Sequence, residues 1–140
     1  MKKIPNLNLK PQNLRKLFAV LFFVWLAALL ALTYYPDFPN LKLRVRDEWF
    51  RLDYLGHLGF YAVLTALFLL WRTGWRKKVS LKLLILTILS GFVLGALTEL
   101  TQLAIPGRSM NPVDLVYNCA GILVGAGTVA LTGRRENKRK

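Results

Sequence analysis

Asp53, His57 and Tyr61 recur at intervals of four. Residues at i and i+4 share a helix face, so a carboxylate, an imidazole and a phenol line one polar stripe. Glu99 and Gln102 stand three apart, Asp114 and Asn118 four apart, and Arg108 lies between the two pairs. These side chains fit three roles. In the first, Arg108 holds the phosphate of an anionic lipid through a bidentate fork. The amides of Gln102 and Asn118 add hydrogen bonds, and His57 and Glu99 set protonation. In the second, the polar groups form a buried network that fixes helix register. In the third, His57 is a general base or nucleophile oriented by Asp53 or Asp114. A metal-dependent version of the third would use His57, Glu99 and Asp114, a mixed nitrogen and oxygen set. One histidine without a thiolate cluster is a weak metal signature, so no metal ligand and no cofactor is assigned. The chain has no G-x-S-x-G or H-E-x-x-H stretch, and the ranking is lipid binding, then structural network, then enzyme. Taken singly, His57 reads as a hydrogen-bonded interfacial histidine. Asp114 reads as a first-turn carboxylate facing the helix dipole, with Ser109 or Asn111 as a cap. The lone thiol, Cys119, reads as a small packing residue.

The segments that carry these groups are long and apolar. The chain has 140 residues, 54% of them hydrophobic, yet its net charge is +13 and its mean hydropathy +0.37. A disordered basic tail would be poor in large apolar residues, and a soluble nucleic-acid binder would spread its charge over one polar face. Here the charges cluster between apolar runs. Leu17 to Tyr35 and Leu115 to Gly133 carry no charge, Tyr54 to Trp71 holds only His57, and Val79 to Ile105 holds only Lys82 and Glu99. About 20 helical residues cross a hydrocarbon core, where backbone groups must be satisfied internally. The expectation is an all-α polytopic membrane protein with four transmembrane helices over about 17–35, 54–71, 79–105 and 114–133. Together these make one domain over 17–133, with basic tails at 1–16 and 134–140. The first run is too long for the core of a cleaved signal peptide and reads as an uncleaved anchor.

Fifteen of the 20 lysines and arginines fall on the two tails and the second connection. The positive-inside rule then puts both termini in the cytoplasm, N-in/C-in, in a multi-pass protein of the cytoplasmic membrane. The basic charge is accounted for by topology and by contact with anionic lipid, and no nucleic acid is needed as a partner. Because helix direction alternates, Asp53, His57, Tyr61, Glu99, Gln102, Arg108, Asp114 and Asn118 all fall toward the extracytoplasmic end, which predicts one polar cluster there. In the first loop, Leu41 to Arg46 alternates apolar with basic residues. That alternation suits an extended segment with one apolar side; a loop lying on the outer leaflet is the preferred reading, with Trp49, Phe50 and Tyr54 as interfacial anchors. Gly91 and Gly95, and again Gly121 and Gly125, have G-x-x-x-G spacing, which lets helices approach closely. Packing of the third helix on the fourth is the simplest use, and a homo-oligomer seam the alternative.

The pattern Asp53-x3-His57-x3-Tyr61, then Gly95-x3-Glu99-x2-Gln102-x3-Pro106-Gly107-Arg108-Ser109-x4-Asp114-x3-Asn118-x2-Gly121-x3-Gly125, resembles the VanZ-like family of small bacterial membrane proteins. It runs from Asp53 to Gly125. Leu58 replaces the phenylalanine that usually follows the family's histidine, a mild departure at a packing position. The resemblance implies a membrane location, the polar cluster and a cell-envelope setting, and it supplies no reaction.

Overall fold

The computed structural model describes residues 10–36, 42–45, 48–75, 77–107 and 109–136. It contains four helices, each long and apolar enough to span a membrane: α1 (Pro11–Thr33), α2 (Asp53–Thr73), α3 (Leu81–Gln102) and α4 (Pro112–Glu136). The all-α, four-helix membrane architecture expected from the apolar runs is the architecture found. Large apolar side chains such as Val20, Val24, Leu89, Val93 and Val116 remain exposed on all sides of a small interior. That distribution suits a lipid solvent rather than water.

Helix ends differ from the limits of the charge-free runs, for local reasons. α1 begins at Pro11, inside the stretch read as a basic tail. Proline pre-sets the helical φ at the first turn, and Arg15 is drawn into the fold because its Nη2 donates to the Arg72 and Thr73 carbonyls at 3.4 and 3.2 Å. Those carbonyls are otherwise unsatisfied at the end of α2. Gly74 ends α2 with φ +79°. Ser80 caps α3 by accepting a hydrogen bond from the Leu83 N–H. α3 stops at Gln102 rather than Ile105. The next three amides bond three residues back, Leu103 to Leu100, Ala104 to Thr101 and Ile105 to Gln102, and Gly107 turns the chain with φ +78°. Asn111 Oδ1 accepts from the Val113 N–H at 3.0 Å and so caps α4.

The first connection carries a small hairpin outside the helices. β1 (Lys42–Val45) pairs antiparallel with β2 (Glu48–Arg51), Lys42 opposite Arg51 and Val45 opposite Glu48. The extended segment that the alternation suits is thus found over 42–45, and the preferred reading of a plain loop there is corrected. An alternating segment presents a free backbone edge, and here a second extended segment pairs with it. Leu41 and Arg46, and the side chains of Trp49 and Phe50, lie outside the described residues. Tyr54 stacks on Tyr117 of α4 at 5.0 Å.

α2 and α4 form the most intimate pair. A Cβ placed on Gly121 or Gly125 would collide with the backbone carbonyl oxygens of Leu58 and Ala62 on α2. On α3, Gly91 meets the Ile122 side chain and Gly95 the Asn118 side chain. The two G-x-x-x-G pairs therefore do not form one α3–α4 seam. Only the α3 pair faces α4, while the α4 pair faces α2. α1 is held by rings: Trp25 stacks on Phe60 at 4.9 Å, Phe22 meets Phe68 and Trp71, and Trp25 Nε1 donates to the Phe60 carbonyl at 2.9 Å. Leu29, Tyr61, Leu64 and Ile122 form one core cluster, and Leu69, Ala126 and Val129 another.

Candidate functional site

The polar side chains gather at the end of the bundle where α2 and α4 begin and α3 ends. Asn118, with no exposure, is the centre. Its Nδ2 donates to Glu99 Oε1 at 3.1 Å, and its Oδ1 lies 2.9 Å from His57 Nδ1. Gly95 of α3 faces the Asn118 Cβ, and Glu99 lies four residues further along the same helix. Glu99 is likewise fully buried. His57 Nδ1 stands 3.8 Å from Glu99 Oε1, and His57 Nε2 stands 3.8 Å from Asp114 Oδ2. Asn111 Nδ2 donates to Asp114 Oδ1 at 3.0 Å, so the residue that caps α4 also steadies its first-turn carboxylate.

With Glu99 ionised, this network fixes a tautomer. Carboxylates only accept hydrogen bonds, so the Asn118 NH2 group must point at Glu99 and its carbonyl at His57. His57 Nδ1 therefore carries a hydrogen, and in the neutral ring Nε2 carries the lone pair.

Above the network lies a cavity of about 230 Å³. Asp53, His57, Gln102, Asn111 and Asp114 give it a polar wall, and Leu29 and Leu32 of α1 an apolar one. Gln102 and Asp114 are themselves buried, while His57 is half-buried. Tyr61 also borders the cavity, but its hydroxyl is turned to Thr98 Oγ1 at 2.6 Å. Of the eight polar residues picked out from sequence, seven border this cavity or the network beneath it. The eighth, Arg108, lies outside the described residues, and its chain neighbours Gly107 and Ser109 line the cavity.

A model of the VanZ/LLP1 family matches residues 3–133. The chain belongs to the VanZ/LLP1 family. All eight polar residues and the four glycines fall within the VanZ/LLP1 match, which reaches well beyond the stretch from Asp53 to Gly125 that carried the resemblance. No curated protein and no solved structure matches the chain. Four contributors to this VanZ/LLP1 site had weak sequence signals. Thr98 looked like part of the uncharged run, although it lies at the depth of Tyr61. Asn111 suggested only a cap. Leu29 and Leu32 were indistinguishable from the other leucines of α1.

Proposed function

We propose that this VanZ/LLP1 protein sits in the bacterial cytoplasmic membrane with both termini inside and holds the headgroup of an anionic envelope lipid, such as a polyprenyl phosphate, in the cavity. The observation that carries the reading is the two-sided lining. Leu29 and Leu32 suit the start of a hydrocarbon chain, and the opposite wall from Asp53 to Asp114 suits a polar head. A cavity that is apolar on one side and polar on the other suits a ligand that is itself two-sided. Arg108 supplies the phosphate contact, since guanidinium forks match phosphate oxygens. Binding, not bond cleavage, is the proposed activity.

The test is thermal unfolding of purified protein in neutral detergent, with added anionic lipid or polyprenyl phosphate against added zwitterionic lipid. The anionic lipids should raise the midpoint of the wild type and leave Arg108→Ala unmoved. Equal shifts in both proteins, or none in either, would refute the reading.

A further inference from the structure

We propose that His57, Glu99 and Asp114 bind one divalent transition-metal ion at the floor of the cavity. One ligand atom from each of the three lies within 4.8 Å of the other two. The hydrogen-bond pattern gives two further reasons. First, with Glu99 ionised, Asn118 places the hydrogen of His57 on Nδ1, so the Nε2 lone pair of the neutral ring confronts Asp114 Oδ2 across 3.8 Å. Two electron-rich atoms facing each other are stabilised by a positive charge between them, either a proton on Nε2 or a metal ion. Second, Glu99 is completely buried, and its Oε2 has no hydrogen-bond partner among the described residues. A buried carboxylate oxygen without a partner is costly. An ion ligated by all three residues satisfies both.

The donor chemistry narrows the ion. Imidazole favours zinc, copper, iron or nickel over magnesium or calcium, and two carboxylates add charge. Two donors about 2.1 Å from an ion at the tetrahedral angle stand about 3.4 Å apart, so the 3.8 Å pair requires a small inward movement and the widest pair, within 4.8 Å, one of up to about 1.4 Å. The bracing usual around metal ligands is in place: Asn118 holds both His57 and Glu99, and Asn111 holds Asp114. His57 and Asp114 also line the cavity, so a further coordination position opens toward it, as in three-ligand sites that accept an exogenous oxygen. The purpose assigned to the ion, meeting a lipid phosphate against an acidic wall, rests on the proposed function. Its binding does not.

The chain has one histidine, which makes the experiment specific. Tag-free protein carrying Cys119→Ser, to remove the one thiol, is titrated with Zn2+ by calorimetry in neutral detergent without lipid. One ion per chain is expected, weakened about ten-fold or more by Glu99→Gln and by Asp114→Asn. The same protein loaded with Cu2+ should show coupling to a single imidazole nitrogen by electron paramagnetic resonance. This measurement needs no substitution at the ligands, so it decides the matter even if those variants fail to fold. A spectrum without nitrogen coupling, or variants that keep wild-type affinity, would overturn the site. Ion binding without stabilisation by anionic lipid retires the headgroup reading and leaves the ion. Lipid stabilisation without nitrogen coupling does the reverse.

Discussion

Asn118 gives a hydrogen bond to Glu99 and takes one from His57, so a leucine of similar size cannot replace it without loss. Asn118→Leu leaves a buried carboxylate oxygen and an imidazole N–H unpaired, each worth about 1–3 kcal/mol. The expected outcome is a loss of about 2 kcal/mol or more in reversible unfolding in mixed detergent and denaturing surfactant; a loss under about 0.5 kcal/mol would show that the network does not support the fold. The same variant separates the structural role from a binding role. A purely structural network predicts that lipid response falls only in step with stability. At this scale the sequence showed a good deal. The spacing of Asp53, His57 and Tyr61, the buried position of Glu99 and the alternation of helix direction were enough to gather the polar groups. The order of the contacts was hidden, because it depends on rotamers and on which amide comes between two ionisable groups. Tyr61 shares its stripe with His57 yet bonds Thr98 instead.

The glycines act at the scale of helix pairs. Gly125 lies against the Ala62 carbonyl with no room for a Cβ, whereas a Cβ on Gly127, two residues on, meets nothing within 4 Å. Gly125→Ala must push α2 and α4 apart, at a cost of about 1–3 kcal/mol by analogy with overpacked cores. Gly127→Ala should instead be neutral or stabilising by up to about 1 kcal/mol, from helix propensity alone. Unfolding of the two variants side by side checks this, and equal effects would contradict the observed α2–α4 packing. The spacing of Gly121 and Gly125 announced a close contact but not its partner. A small-residue stripe records a helix face, and which neighbour covers that face depends on the order of helices in space. The beginning of α1 was similarly illegible. A charge inside the helix looked like the end of a membrane span, but Arg15 finds the last carbonyls of α2.

At the scale of the whole molecule, most of the cationic charge belongs to the tails and the second connection, and the polar cavity lies at the opposite end from the second connection. The proposed N-in/C-in orientation therefore places the cavity outward. Cysteines introduced singly at Lys77 and at Ser109, in a Cys119→Ser background, should differ in intact cells. A membrane-impermeant thiol reagent should label position 109 and spare position 77, and the reverse pattern would invert the topology. Helix number and membrane character were legible because lipid demands long uninterrupted apolar segments. Of the hairpin only the alternating first strand was legible, since its partner from Glu48 to Arg51 carries no such alternation.

α1 rests on α2 through aromatic rings and touches α3 only sparsely, with Tyr34 Oη bonded to Thr101 Oγ1 at 2.9 Å near the cavity. The side of the bundle between these two helices is thus its least sealed flank, and Leu29 and Leu32 border the cavity from α1. An amphiphile seated there could trail its tail sideways into the surrounding acyl chains. Its methylenes would never meet water, a transfer that costs about 0.8 kcal/mol per CH2. On the proposed function, loading and unloading would then be two-dimensional diffusion within a leaflet, past the Tyr34–Thr101 hydrogen bond.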